Sequence, residues 1–429
     1  MLNFKLKYSL FSLLYYKSST MTKRKARKIL KKLAIPATVM CLLILLVVFI
    51  SYKRLQQSVP AITPQDGNLQ YSHGTTTSLA WPSVGQAAIG ASDYGVLSTY
   101  GNQIPVPTAS IAKLITALAV LRVKPIASGS QGSVITLSQN DVNFYNNYST
   151  EGGSVAVVTA GEQITEYQLL EGMLLPSANN MADSLAVWAF GSLSAYDSYA
   201  SHMVTTLGLT NTHIGTDASG FLPSTTSTAN DLVSLGIQAE ANPIIASIVS
   251  QRSANLPVAG TVNNVNWLVG SYGVDGIKTG NSNQDKGVYL FSDRYPVAPN
   301  HIITIVGAIM DGQSLQKAID DGAALLLSSQ KAFAFTAIVQ AGQTIGYYNV
   351  PWGKSVTAVT RQAVQSITWQ GIPLNHPNIS LDNVHAPQKT DTVVGTMRYT
   401  QGNTIISSSP IILKSDIDTP SRIWRVLRS

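Results

Sequence analysis

The chain has 429 residues, 45% hydrophobic and 12% charged, which is enough for two folded domains and a tail and too apolar for a disordered protein. Its formal charge of +7 is unevenly placed: residues 1–54 carry twelve Lys and Arg and no acid, leaving 17 basic against 22 acidic residues from 55 onward. The body is therefore acidic, which excludes a nucleic-acid reading based on net charge. One cysteine, Cys41, excludes an intramolecular disulfide and a thiolate metal site. The six histidines (His73, His202, His213, His301, His376 and His385) show no HExxH or His-x-His spacing, so neither a metal centre nor a cofactor is expected.

Basic residues from Lys23 to Lys32 precede an uncharged apolar run over 34–52, long enough to cross a hydrocarbon core as one helix. The charge bias puts residues 1–33 in the cytoplasm and the rest outside the membrane. No Ala-x-Ala site follows the run, so an uncleaved anchor is expected rather than a signal peptide. Met21 opens a second possible start, Met21-Thr22-Lys23-Arg24. Residues 53–78, rich in Gln, Ser, Thr, Pro and Gly, read as a tether.

From 79 the pattern alternates. Strands are expected over 86–91 and 94–97 around Ser92-Asp93, and helices over 110–121, 165–190, 195–207 and 228–240. Strands return at 273–279, 286–292 and 301–309, before a helix at 313–328. Strands at both ends with helices between predict one α+β domain over 79–335 whose sheet closes late. Short β segments at 338–343, 355–359 and 392–397, separated by turn residues, predict a small all-β domain over 336–420. Residues 421–429 form a basic, partly amphipathic tail, too short to anchor anything and read as a frayed terminus.

Three segments carry chemistry. In Thr108-Ala109-Ser110-Ile111-Ala112-Lys113, apolar Ile111, Leu114, Ile115 and Leu118 define a buried helical stripe, which leaves Ser110 and Lys113 together on a neighbouring face. A serine hydroxyl needs a nearby base, and lysine serves only when burial and positive neighbours lower its pKa. Alone, Ser-x-x-Lys is equally an ordinary helix start with a solvated lysine. In Leu175-Pro176-Ser177-Ala178-Asn179-Asn180, Ser177 is placed to pass protons and Asn179 to hold an amide carbonyl, while the segment also suits a helix cap. In Val274-Asp275-Gly276-Ile277-Lys278-Thr279-Gly280, glycines bracket a short strand along which a peptide can lie. Lys278 supplies positive charge that helps keep Lys113 neutral, and Thr279 offers a hydroxyl to a terminal carboxylate. The structural alternative is a lysine on a solvated hairpin.

These three segments, in this order, resemble the motif set of penicillin-binding proteins and class A β-lactamases. The resemblance is closest to the low-molecular-mass penicillin-binding proteins, the serine-type D-alanyl-D-alanine carboxypeptidases. It extends through Asp93-Tyr94-Gly95-Val96-Leu97, Glu171-Gly172-Met173, Asp217-Ala218-Ser219-Gly220 and Ser227-Thr228-Ala229-Asn230-Asp231. It implies a transpeptidase-like α+β fold with an appended β domain, penicillin binding, and a peptidoglycan stem peptide ending in D-Ala-D-Ala as substrate. By the same resemblance Ser110 is the nucleophile, Lys113 its base, and Ser177 the third catalytic group. Asn179, Lys278, Thr279 and Gly280 bind substrate, and the backbone N–H groups of Ser110 and Asn281 hold the oxyanion. Ala178-Asn179-Asn180 and Asn281-Ser282 depart from the family's usual Gly-Asn-Asp and aromatic- or His-Thr, which bears on turnover rather than on any named group.

Three alternatives share parts of this pattern. A class A β-lactamase needs a deacylating glutamate, and the only glutamate after Ser177 is Glu240, outside the expected context. An endopeptidase acting on cross-links uses the same nucleophile. A wall-binding scaffold keeps the fold without the activity.

Overall fold

The computed structural model describes residues 23–281 and 286–428. Residues 1–22, with the alternative start at Met21, and Ser282 lie outside the described residues. A single helix runs from Lys23 to Gln56, and its part from Lys31 to Gln56 is long and apolar enough to cross a membrane, with residues 31–50 exposed.

Residues 86–312 are organised on a five-stranded antiparallel sheet. Its order is Val274–Asn281, Gly287–Ala298, His301–Gly312, Gln86–Ala91, Gly95–Tyr100. Late closure is literal: Ala88 pairs with Ala308 and Ile89 with Gly307. Alternation sorts the side chains between two cores. Ala88, Val288, Leu290, Val306 and Ala308 join the helical core, whereas Ala87, Ile89, Tyr289, Phe291 and Ile309 pack with Ala318, Ile319 and Leu325 of the Leu315–Gln330 helix. Burial on both faces explains why the strands read as continuous apolar runs.

Two departures in the helical part have local causes. The expected continuous helix over 165–190 is two helices, Glu166–Leu174 and Asn179–Phe190. Pro176 lacks the N–H that would continue the ladder, and Ser177 takes a left-handed φ of 65°. A helix at Gln139–Thr150 escapes the periodicity because it buries no residue fully; a reciprocal cap between Ser138 and Asp141 starts it. The helix Ala112–Val123 also differs from the expected stripe. It is buried on every side from Ala112 to Leu121, with Lys113 and Thr116 included.

The C-terminal strands form a six-stranded and a three-stranded sheet around a third core. The expected tether contributes to it. Ile62 exchanges hydrogen bonds with Val384 at 2.8 and 3.1 Å, and Pro64–Asp66 pairs with Thr344–Tyr348. Ser72 N–H bonds the Ile338 carbonyl at 2.9 Å. Ile62, Leu69 and Tyr71 give this polar segment enough apolar surface to be held.

The tail is not frayed. Arg422–Leu427 is a helix, capped by Ser421 and docked on the end of the long N-terminal helix. Arg425 Nη2 donates to the carbonyls of Leu55 and Gln57 at 2.6 and 2.9 Å, and Arg54 Nη1 donates to those of Val426 and Arg428 at 2.7 and 2.6 Å. Each helix thus satisfies the terminal carbonyls that the other leaves open.

Candidate active site

Ser110 sits in a 3-10 turn, Ala109–Ile111, that leads into the buried helix. The turn is tight, with Ala109 at a φ of 47°. Two glycines allow its neighbours to close on it. A Cβ on Gly220 would lie 2.1 Å from the Ala109 carbonyl oxygen, and one on Gly280 would lie 3.0 Å from Ala109 Cβ and 3.2 Å from the Ser110 nitrogen.

Lys113 is wholly inaccessible to solvent. Its Nζ reaches Ser110 Oγ at 2.8 Å, Asn179 Oδ1 at 2.7 Å and the Ser219 carbonyl at 2.9 Å, so all three positions of an ammonium are occupied. Burial pulls its pKa down to about 7, against the opposing carboxylates of Asp217 and Asp183. In the neutral state the amine has a lone pair to accept from Ser110.

Ser177 and Asn179 stand across the helix break. Ser177 Oγ is buried without a partner among the described residues. With Asn179 Oδ1 committed to Lys113, the amide Nδ2 is left as a donor, and the backbone N–H of Asn179 is held by Ser154 O at 2.8 Å. Asn180 explains one departure from the family pattern. Its amide accepts from Ala156 N at 3.1 Å and donates to Ala156 O at 3.0 Å, a double role that an ionised aspartate lacks.

The opposite wall is the edge strand Val274–Asn281, which among the described residues pairs with only one neighbour. Thr279, Gly280 and Asn281 line the cleft. Lys278, 1% exposed, lies off the lining, and among the described residues its Nζ has one bond, to the Thr279 carbonyl at 3.2 Å. Burial, and then the charge of Lys113, hold its pKa well below the ordinary value. The expectation that Lys278 keeps Lys113 neutral is therefore corrected: burial lowers the Lys113 pKa, and the charge of Lys113 acts on Lys278 instead.

The walls enclose a cleft of about 350 Å3 that brings Ser110, Ser177, Asn179, Thr279, Gly280 and Asn281 together. Sequence reasoning missed Gly152, Gly153, Ser154, Phe221, Val265 and Leu315 in its lining, since none belongs to a spaced motif. It also missed Asp183, although that residue lies one helical turn beyond Asn179. Glu240 is bonded to Ser292 Oγ at 2.7 Å and does not line the cleft. Among the described residues no group of three His, Cys, Asp or Glu is placed to hold a metal ion.

A buried Ser–Lys pair in a helical wall, facing an edge strand that carries Lys-Thr-Gly, defines the class of the penicillin-binding serine peptidases. Solved structures share the fold. Penicillin binding protein 5 from Haemophilus influenzae is 18% identical and aligns with 81% of this chain and 100% of its own, at a TM-score of 0.55. The Streptomyces K15 DD-transpeptidase is 23% identical and covers 59% of this chain and 98% of its own, at 0.51. Residues 89–293 match the family described as D-alanyl-D-alanine carboxypeptidase. D-alanyl-D-alanine carboxypeptidase DacA of Escherichia coli K12 is 24% identical over 327 residues, 72% of this chain and 77% of that protein.

Proposed function

We propose that the protein is a membrane-anchored serine carboxypeptidase that removes the terminal D-alanine from peptidoglycan stem peptides ending in D-Ala-D-Ala. The observation that carries this reading is the 2.8 Å contact between Ser110 Oγ and a buried Lys113 whose pKa is brought to about 7. Neutral Lys113 takes the Ser110 proton as Oγ attacks the carbonyl between the two D-alanines. The C–N bond then breaks, a proton reaches the leaving amine through the free hydroxyl of Ser177, and D-alanine departs. Water next attacks the ester on Ser110, releasing the shortened peptide and returning the serine proton. The N–H groups of Ser110 and Asn281 hold the oxyanion, and Asn179 Nδ2 binds the substrate amide carbonyl. Thr279 and Lys278 receive the terminal carboxylate, and Gly280 lets the peptide backbone lie close to the edge strand.

In this reading residues 34–52 cross the membrane once, with 1–33 inside and the rest outside. Residues 79–335 form the peptidase domain, and 336–420 a β domain that stands between it and the anchor. β-Lactams act as inhibitors by acylating Ser110.

The test uses the full chain in detergent. A fluorescent penicillin should label it covalently, Ser110→Ala should abolish labelling, and a pentapeptide ending in D-Ala-D-Ala should yield free D-alanine. Equal labelling of the variant sinks the nucleophile assignment. Cleavage of cross-linked dimers alone replaces the carboxypeptidase by an endopeptidase, and rapid penicillin hydrolysis without an adduct points to a β-lactamase.

A further inference from the structure

Two carboxylates with no part in the steps above are buried behind Lys113, Asp183 at 3% exposure and Asp217 at 5%. Neither forms an ion pair among the described residues. Buried carboxylates without a cation are costly unless N–H and O–H donors hold them. Here the donors are specific. Asp183 Oδ1 accepts from Ala218 N at 3.1 Å, and Oδ2 accepts from Tyr148 OH at 2.7 Å. Asp217 Oδ2 accepts from Ser219 N at 3.2 Å, Ser219 Oγ at 2.6 Å and Phe221 N at 2.9 Å.

Both acids therefore grip one short turn, residues 217–221. That turn touches the nucleophile's surroundings three times. The Ser219 carbonyl accepts from Lys113 Nζ at 2.9 Å. The Ala218 carbonyl accepts from Thr116 Oγ1, one position short of a helical turn beyond Lys113, at 2.6 Å. Gly220 lies directly on the Ala109 carbonyl.

We infer that Asp183 and Asp217 are positioning residues: gripping the 217–221 turn from two sides, they aim the Ser219 carbonyl, and through it the Lys113 amine, at Ser110. This rests on the assignment of Ser110 and Lys113 proposed above. Their charge acts on the same amine. Three titratable groups face Lys113: Asp183 from the Asn179–Phe190 helix, Asp217 from the turn and Lys278 from the edge strand. Behind them stand Tyr148 and Tyr196, whose hydroxyls burial pushes above the usual phenol range and so keeps neutral. The two carboxylates pull the lysine pKa upward against the larger effect of burial. Asp183 itself is raised to about 6, so it still carries charge at neutral pH.

The test is Asp183→Asn and Asp217→Asn in the full chain, changes that keep side-chain size and an oxygen for the N–H donors. The Lys113 Cε resonance, assigned by its loss in Lys113→Met, is followed by carbon NMR as pH is varied. In each variant Lys113 should titrate at lower pH, by about one unit. The acid limb of penicillin acylation should move the same way, and its plateau should fall because the turn is loosened. If the Lys113 titration stays in place in both variants while only the melting temperature drops, the two acids merely support the fold and the inference is overturned. The resonance reports with or without turnover. Failure of Ser110 to acylate would therefore count against the proposed function and leave this result readable.

Discussion

The two walls of the cleft are built on different terms. On the helical wall, Lys113 has its three bonds inside the protein, Asn179 is fixed by one of them, and the turn at 217–221 is locked behind both. On the strand wall, Lys278 is just as buried but has, among the described residues, a single contact at 3.2 Å to its own neighbour's carbonyl. A buried amine with one long bond is poorly satisfied, whereas one with three short bonds is complete. The difference separates two tasks. In the mechanism proposed above, the helical wall is organised before substrate arrives, as a preorganised nucleophile requires, and the strand wall is the one that receives the substrate's anion.

The largest expected effect breaks the first half of this contrast. Lys113→Met should slow acylation of Ser110 by penicillin by about a thousandfold or more, the range that a positioned base contributes. Stopped-flow acylation measures it, and a loss below tenfold would mean that another group takes the proton. In the proposed mechanism the base is the neutral amine, whose share grows as pH rises through about 7. The acylation rate should therefore climb with pH across that value and level off above it, and a rate that falls there would make the charged amine the active form.

The second half is tested by Lys278→Gln. A charge-assisted bond to a terminal carboxylate contributes roughly 2 kcal/mol, so kcat/KM for a peptide with a free C-terminus should drop by about thirtyfold. The same peptide with an amidated C-terminus should lose far less. Equal losses on both peptides would mean that Lys278 supports the helical wall rather than the ligand.

Legibility in the sequence followed the same division. Ser110, Lys113, Ser177, Asn179 and Lys278-Thr279-Gly280 stood out because short helices and an edge strand place residues at fixed spacing. The five-stranded sheet was readable because its strands are apolar runs in order. What spacing could not carry was the environment of Lys113. Its burial depends on helices packed from all sides, and Asp217 and Asp183 approach it from segments 104 and 70 residues away in the chain. The docking of the tether was missed for a related reason: residues 62–74 hold their place by backbone bonds to Val384, Ile338 and Gly371, and composition does not report backbone pairing. The tail was missed because its two key guanidinium contacts join residues about 370 positions apart.

That tail supplies the smallest expected effect and a control for the contrast. Arg425→Ala removes the donor to the Leu55 and Gln57 carbonyls and leaves the reciprocal pair from Arg54 in place. Losing one charged donor from partly exposed carbonyls should speed amide exchange near residues 55–58 by roughly tenfold. Removing both arginines should have a further effect, since each closes carbonyls the other does not reach. Penicillin acylation should not change in either variant, because neither arginine belongs to the lining of the cleft. A slower acylation in Arg425→Ala would show that the tether, and not only the 217–221 turn, holds the helical wall in place, and the wall could no longer be regarded as self-contained.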